Sequence, residues 1–448
     1  MKLAWLRALL FACLLTAGFA SAQEMHKMEG MLAPAPATVP EEPVSFGLAE
    51  LETLALERNP TLAQAAAYVA ASRGKALQAG LWLNPDVGYI GELMGTEGTA
   101  GEFQGGYIQQ TIVTGGKLRL SRAKYNQEAF EAEILATAQQ LRVLNGVRLR
   151  YYEVMALQRM LEVRKELLAN AREHLRTRKE QFNTGQTTRT GVLQAEVEAN
   201  RADINVRMLE NRNRAAWQQL IAVVNAPELT PGSLAGNLEP DGPALDFDCS
   251  LEILLRDSPQ LQAAHAHAVH DQIMVQRERR QPIPNVTVQA ATGQNFETNN
   301  TVASVQVGIN LPVFDRNQGT IRQAQADLSR SLAEIQRVEL LLRASLAETF
   351  SHYLTAYQTV QIYRESSLPR LEEAYKIQQD MYKARRLPWI EVVATQKELL
   401  LLRTEYTQAL LDLRHAEVAI RGLLLVDGLT QPPPPLPGGH IDAVPKPR

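Results

Sequence analysis

The side chains of this 448-residue chain that could do chemistry are few and scattered. His265, His267 and His270 lie close enough in sequence to suggest metal ligation. On a helix, however, the first two point about 200° apart, which leaves only the 267/270 pair on one face. Two imidazoles make a thin metal site, so the pair reads as structural. Met25, His26, Met28 and Met31 offer soft donors, but they sit in a Pro/Ala-rich stretch where a short biased tail is the plainer reading. There is no Gly-rich phosphate loop, no His-Glu-x-x-His and no cysteine pair. Asp and Glu are spread over helical faces instead of flanking an apolar pocket, as general acid/base work requires. The expectation is a chain that is not an enzyme and carries no catalytic residue, cofactor or resident metal. Its function must then be sought in its architecture.

That architecture is organised around residues 302–385. Over 302–314, Val305, Val307, Ile309 and Leu311 alternate with Ser304, Gln306, Gly308 and Asn310, the period-2 pattern of a strand with one apolar face. Asp315, Arg316, Asn317, Gln318 and Gly319 interrupt it. Beyond them Leu328, Leu332, Ile335, Val338, Leu342, Leu346, Phe350, Tyr353, Tyr357 and Val360 recur with a mean step of roughly 3.6, the helical period. The pattern over 318–383, apart from a kink expected at Pro369, corresponds to a helix of roughly 100 Å at 1.5 Å per residue. No compact globular domain needs so long a rod.

The chain is 45% hydrophobic with a net charge of -3, which excludes a strongly basic nucleic-acid binder. Its start has Lys2 and Arg7, an apolar run and Ala20-Ser-Ala22, and reads as a secretory signal over 1–22, cleaved after Ala22. A second reading makes Cys13 the lipidated residue of a lipobox. Cleavage leaves only Cys249, so no intramolecular disulfide is possible. Residues 23–45 and 426–448 are Pro-rich and expected to be disordered.

Displaced by about 200 residues, the chain falls into register with itself. Asn59-Pro60 meets Ser258-Pro259, Pro85-Asp-Val87 meets Pro284-Asn-Val286, and Gly191-Val-Leu193 meets Glu391-Val-Val393. Each copy, 46–225 and 249–425, reads helix, strand, loop, strand, very long helix, tight turn, shorter helix. The first copy places helices over 48–81, 117–182 and 190–224 and strands over 86–93 and 106–113. The second places helices over 251–279, 318–383 and 388–424 and strands over 285–291 and 302–314. Residues 226–248 form a linker packed on the outside.

Four strands cannot close a spanning barrel, and an open sheet edge cannot sit in lipid. Three chains would supply twelve strands, with Val305, Val307, Ile309 and Leu311 facing lipid and the helices lying in the periplasm. A periplasmic coiled-coil scaffold or adaptor without membrane insertion stands beside this reading as the alternative.

Four stretches carry a resemblance to a known family. They are Leu56-Glu-Arg-Asn-Pro-Thr-Leu62, Gln109-Gln-Thr-Ile-Val-Thr-Gly-Gly-Lys117, Asn310-Leu-Pro-Val-Phe-Asp-Arg-Asn-Gln-Gly319 and Phe182-Asn-Thr-Gly-Gln-Thr-Thr-Arg-Thr-Gly-Val-Leu-Gln-Ala195. With the duplication they resemble the TolC family of outer-membrane efflux proteins, most like its heavy-metal cation branch. The resemblance implies a mostly α fold with a membrane β-barrel contribution: a homotrimer whose twelve-stranded barrel continues into a periplasmic α-barrel. It also implies the exit duct of a tripartite efflux system in the outer membrane, with a periplasmic adaptor and an inner-membrane pump as partners. The helical hairpin tips that meet the adaptor map to Gly185, Thr187 and Arg189 and to Arg385, Arg386 and Leu387. Arg385 stands where the first tip has glycine. Glu391 matches a position that lines the lumen constriction; a ring of three such carboxylates and a solvated helix residue remain two readings of it, as gating residues and solvated turn residues do for the arginines.

Overall fold

A computed structural model of the chain describes residues 45–93, 102–240 and 242–434. The expected signal over 1–22 with Cys13, the Met/His cluster at 25–31, loop residues 94–101 and tail residues 435–448 lie outside the described residues.

The first repeat runs β1 (Ser45–Phe46), α1 (Leu48–Arg58), α2 (Pro60–Ala79), β2 (Asp86–Glu92), β3 (Phe103–Ile112), α3 (Lys117–Asn183) and α4 (Arg189–Val224). After β4 (Ser233–Leu234) the second runs α5 (Phe247–Asp257), α6 (Pro259–Arg280), β5 (Val286–Asn295), β6 (Asn300–Ile309) and α7 (Gln318–Ile362). A π-helical turn (Tyr363–Ser367), α8 (Leu368–Lys383) and α9 (Trp389–Arg421) complete it.

The helices expected over 48–81 and 251–279 are each split in two. Pro60 and Pro259 have no N–H and force the preceding residue out of the helical region. Asn59 (φ -67°, ψ 122°) and Ser258 (φ -60°, ψ 117°) accordingly end one helix and begin the next. Asn59 also caps α2, its Oδ1 accepting from the Thr61 N–H at 3.0 Å.

The long helices differ between repeats. α3 is an unbroken 67 residues. Its counterpart is divided by the π-helical turn just before Pro369, which widens the helix where proline removes a backbone bond and crowds the preceding turn. Both long helices start abruptly from a left-handed residue, Gly116 (φ 70°) in one and Asn317 (φ 60°) in the other. Asn317 tolerates that conformation because its side chain is held, Nδ2 donating to the Glu278 carbonyl at 3.0 Å and to Glu278 Oε2 at 2.8 Å.

The four long strands form one antiparallel sheet in the order β2-β3-β5-β6, leaving β2 and β6 as edges. The register sets two kinds of cross-strand row against each other. Val87, Ile108, Ala290 and Val305 lie opposite one another, and so, one residue along, do Asp86, Gln109, Gln289 and Gln306. Because alternate residues point to opposite faces, one face of the sheet is apolar and the other polar.

Strand boundaries depart from expectation. β5 extends to Asn295 and β6 begins at Asn300, so the strands expected over 285–291 and 302–314 reach further toward each other and much of the stretch between them is hairpin ladder. β6 ends at Ile309, whose partner Val286 is the first residue of β5. Leu311 therefore falls beyond the strand: β5 has no backbone left to pair with it, and Pro312 has no N–H to donate.

Each repeat has its core midway along its long helix. In the first, Val143, Val147 and Val154 of α3 pack with Trp217 and Leu220 of α4 and Leu51 of α1. In the second, Leu342, Leu346 and Phe350 of α7 pack with Leu410 and Leu413 of α9 and Leu254 of α5. Each such side chain stabilises the fold by about 1.5–3 kcal/mol. The linker is bound to both cores. β4 pairs in parallel with β1, Tyr151 Oη donates to the Ala235 carbonyl, Leu238 is buried, and the Arg414 guanidinium donates to the Leu238 and Glu239 carbonyls. The start of the Pro-rich tail is likewise held, not loose in solvent: Thr61 and Gln139 donate to the carbonyls of Gly428 and Thr430. Buried side-chain donors on α2 and α3 that need acceptors order this segment.

Among the described residues no helix is long and apolar enough to cross a membrane.

Candidate functional site

At the far end of the long helices the chain turns twice, and the two turns share one backbone. In the first, the N–H groups of Thr184, Gly185 and Gln186 donate to the carbonyls of Glu180, Phe182 and Gln181. In the second, those of Ala384, Arg385 and Arg386 donate to Asp380, Tyr382 and Met381. This is a Schellman closure, which requires a left-handed residue after the helix. Gly185 supplies it at φ 73° and Arg385 at φ 55°. Glycine adopts this conformation freely, whereas an L side chain pays about 1–2 kcal/mol, so the second tip keeps the geometry at a cost in strain. The chain restarts at Thr188, whose Oγ1 accepts from the Gly191 N–H at 3.3 Å, and at Pro388, which caps α9 beside the Tyr382–Trp389 ring pair (4.9 Å between centroids).

Thr187 and Leu387 are half-buried in these turns, while Arg189, Arg385 and Arg386 are exposed and form no ion pair among the described residues. Glu391 is exposed in the first turn of α9.

An ion pair between one hairpin and the other lies further up, and single residues gave no signal for it. Glu198 of α4 binds Lys397 Nζ of α9 through one oxygen and faces His174 Nδ1 of α3 at 3.7 Å through the other. The hydrogen bond from Lys397, opposed by partial burial and reinforced by the Lys397 and His174 charges, holds the Glu198 carboxyl below its usual range. This bridge borders a groove of about 830 Å³ between the hairpins, whose apolar wall includes Leu167, Leu193, Val197, Ile390 and Leu401. Glu391 does not border it.

Within each hairpin a further ion pair occupies the same place in the repeat with the charges exchanged. Arg172 pairs with Asp203 at 2.9 Å in the first, and Glu372 with Arg403 at 2.9 Å in the second. Only the ~200-residue offset of the repeat could have revealed this correspondence in sequence.

At the sheet end, Val305, Val307 and Ile309 share the exposed apolar face, while Ser304, Gln306 and Gly308 share the polar one. The polar face continues into a concavity of about 1360 Å³ floored by Lys117, Gln281 and Asn317 and walled by Gln109, Gln289 and Gln306.

Below the sheet, His267 and His270 turn inward together, rings stacked at 5.4 Å. His267 Nδ1 meets Glu131 Oε2 of α3 at 3.1 Å, and His270 Nδ1 meets Asp271 Oδ1 at 2.9 Å. Ser331 of α7 donates to the other Asp271 oxygen. Burial pulls the His267 pKa down, but the hydrogen bond and charge of Glu131 and the charge of Asp271 outweigh it, leaving the pKa raised. Burial likewise pushes Asp271 up, and the His270 and Ser331 hydrogen bonds bring it net down. Among the described residues no group of three or more His, Cys, Asp or Glu is placed to hold a metal ion. The cluster joins α3, α6 and α7.

Comparison with known proteins accords with this geometry. The profile of a family described as "Outer membrane efflux protein" matches residues 51–226 and again 251–424, once per repeat. The chain is similar to the cobalt-zinc-cadmium resistance protein CzcC of Cupriavidus metallidurans, 23% identical over 378 residues covering 83% of this chain and 88% of that protein. It is also similar to the nickel-cobalt-cadmium resistance protein NccC of Alcaligenes xylosoxydans, 29% identical over 299 residues, 64% of this chain and 65% of that one. The fold is shared with the outer membrane protein VceC of Vibrio cholerae, with a TM-score of 0.67, 18% identity and coverage of 84% of this chain and 96% of that one.

Proposed function

Since this chain belongs to the outer membrane efflux protein family, we propose that three copies assemble into the outer-membrane exit duct of a tripartite efflux system for heavy-metal cations. Family members are channels, and the outer membrane is where this chain does its work, with its helices in the periplasm.

Trimerisation rests on the sheet. β2 and β6 present unpaired backbone groups that lipid cannot satisfy, and four strands are too few to close a barrel, whereas twelve suffice. β3, β5 and β6 have ten residues each. At about 3.4 Å per residue and a tilt of about 40° such strands rise roughly 26 Å, the height of an outer-membrane apolar band.

The cargo rests on the relatives. Proteins named for resistance to cobalt, zinc, cadmium and nickel match this chain across both repeats. An adaptor and an inner-membrane pump complete the system. Contact with the adaptor is assigned to Gly185, Thr187, Arg189, Arg385, Arg386 and Leu387, and Glu391 to the lumen just inside. The single observation that carries the reading is the double match of the efflux profile, one per repeat, onto a chain with an apolar sheet face.

The test is a strain whose gene for this chain is deleted. It is expected to become sensitive to cobalt, zinc, cadmium or nickel salts and to be rescued by the intact gene, with the purified protein trimeric in detergent. Unchanged tolerance to all four metals removes the cargo assignment, and a stable monomer in detergent removes the trimer.

A further inference from the structure

The three basic junctions between helix and strand, residues 113–124, 277–285 and 310–324, carry nine basic residues against only Glu278 and Asp315, in a chain whose net charge is -3. Three of the nine, Lys117, Lys124 and Arg277, are buried. The other six, Arg119, Arg122, Arg279, Arg280, Arg316 and Arg322, are exposed and form no ion pair among the described residues. They sit in the first two turns of α3 and α7, the last turn of α6 and the bend before α7. The five on helices thus lie within roughly 10 Å of helix axis from the helix ends that adjoin the sheet. None borders the polar concavity that continues the lumenal face of the strands, although Lys117 and Gln281 do. The fourth junction, 80–85, has no charge and exposes Leu81 and Trp82. α3 and α7 also begin here without a side-chain cap, so their positive dipole ends add to the same belt.

An apolar sheet face ending in unpaired guanidinium groups, with a tryptophan at the same level, matches the chemistry of a phospholipid interface: acyl chains, then phosphates. We propose that these six arginines form a collar that binds anionic phospholipid headgroups of the leaflet bordering the periplasm. Guanidinium pairs with phosphate through two parallel N–H donors, and each basic residue near an anionic surface strengthens association about fivefold. Three chains bring eighteen such arginines around the barrel base, so the proposal rests on the outer-membrane barrel reading.

The full-length protein is reconstituted in vesicles of phosphatidylethanolamine mixed with phosphatidylglycerol and re-extracted in mild detergent, and the co-purifying lipid is quantified by mass spectrometry. Phosphatidylglycerol is expected to be enriched over its bulk share by at least about threefold, an enrichment that raised salt abolishes. Changing all six arginines to Gln should remove it, whereas R385Q/R386Q at the distant tips should leave it intact. Absence of enrichment in the wild type, enrichment insensitive to salt, or equal enrichment in the six-fold variant each overturns the collar. If the six-fold variant does not fold, the salt response of the wild type decides. Insertion into phosphatidylethanolamine vesicles is scored in parallel. Insertion without phosphatidylglycerol preference refutes the collar alone, and failure to insert in any vesicle refutes the barrel reading beneath it.

Discussion

Replacing Val305 by arginine tests the orientation and depth of the sheet together. Val305 is the sixth of ten residues in β6, 73% exposed, and belongs to the apolar row Val87, Ile108, Ala290, Val305. If this row faces lipid near the midplane, arginine there costs about 2–4 kcal/mol per chain, hence about 6–12 kcal/mol per trimer. Val307 lies two residues, or about 5 Å of depth, nearer the periplasmic edge, and Ile309 about 10 Å nearer. The cost should therefore fall in the order Val305, Val307, Ile309, reaching about 0–1 kcal/mol at the last. Gln306, between them in sequence but on the polar face, should tolerate arginine with a cost below about 1 kcal/mol. The assay is folding of each urea-unfolded variant into phospholipid vesicles, with the trimer fraction read against denaturant. Equal loss from Val305→Arg and Gln306→Arg refutes the facial assignment, and a larger loss at Ile309 than at Val305 refutes the depth.

The buried cluster below the sheet gives stability a two-sided pH dependence. His267 has a raised pKa, so its contribution is fully present below about pH 6.5 and lost as pH rises through the raised value; Asp271 has a lowered one, so its contribution is present above about pH 4 and lost as pH falls through it. Melting temperature across pH should therefore decline on both sides, and His267→Gln should flatten the alkaline limb; an unchanged limb contradicts this. Glu131→Ala removes the carboxylate that meets buried His267 Nδ1 and leaves only Asp271, 3.8 Å from Nε2, so it should cost up to about 3 kcal/mol in chemical denaturation. At the first tip, Gly185→Ala forces an L side chain into the left-handed region and should destabilise the turn by about 1 kcal/mol, seen as faster proteolysis there. Arg385→Gly should stabilise the second tip by up to about 1 kcal/mol, since about 1–2 kcal/mol of relieved strain is only partly offset by added freedom in the unfolded chain. Glu198→Gln removes the charge that pairs with Lys397 across the two hairpins and should raise single-channel conductance in planar bilayers by loosening one hairpin from the other; wild-type conductance in this variant would show that conduction does not depend on the bridge.

Features of this molecule set by neighbours a few residues apart were legible in its sequence. The alternation around Val305 and Val307 and the helical period through Leu342, Leu346 and Phe350 depend on backbone periodicity alone, and the ~200-residue duplication shows when the chain is compared with itself. The breaks at Pro60 and Pro259 follow from the missing N–H and are equally local, yet the helices expected over 48–81 and 251–279 run through them, because the apolar period continues across each proline. Tertiary structure decided what depends on partners far along the chain. β6 stops at Ile309 because β5 starts at Val286, which no pattern within 302–314 can announce. Arg385 keeps the turn that glycine makes at position 185 because both long hairpins demand the same reversal, overriding its own conformational preference. Glu198 meets Lys397, and Glu131 meets His267, only when helices pack at a particular rotation and axial offset. A few degrees of helix rotation would separate either pair, and no local rule of spacing or propensity specifies an angle between segments more than a hundred residues apart.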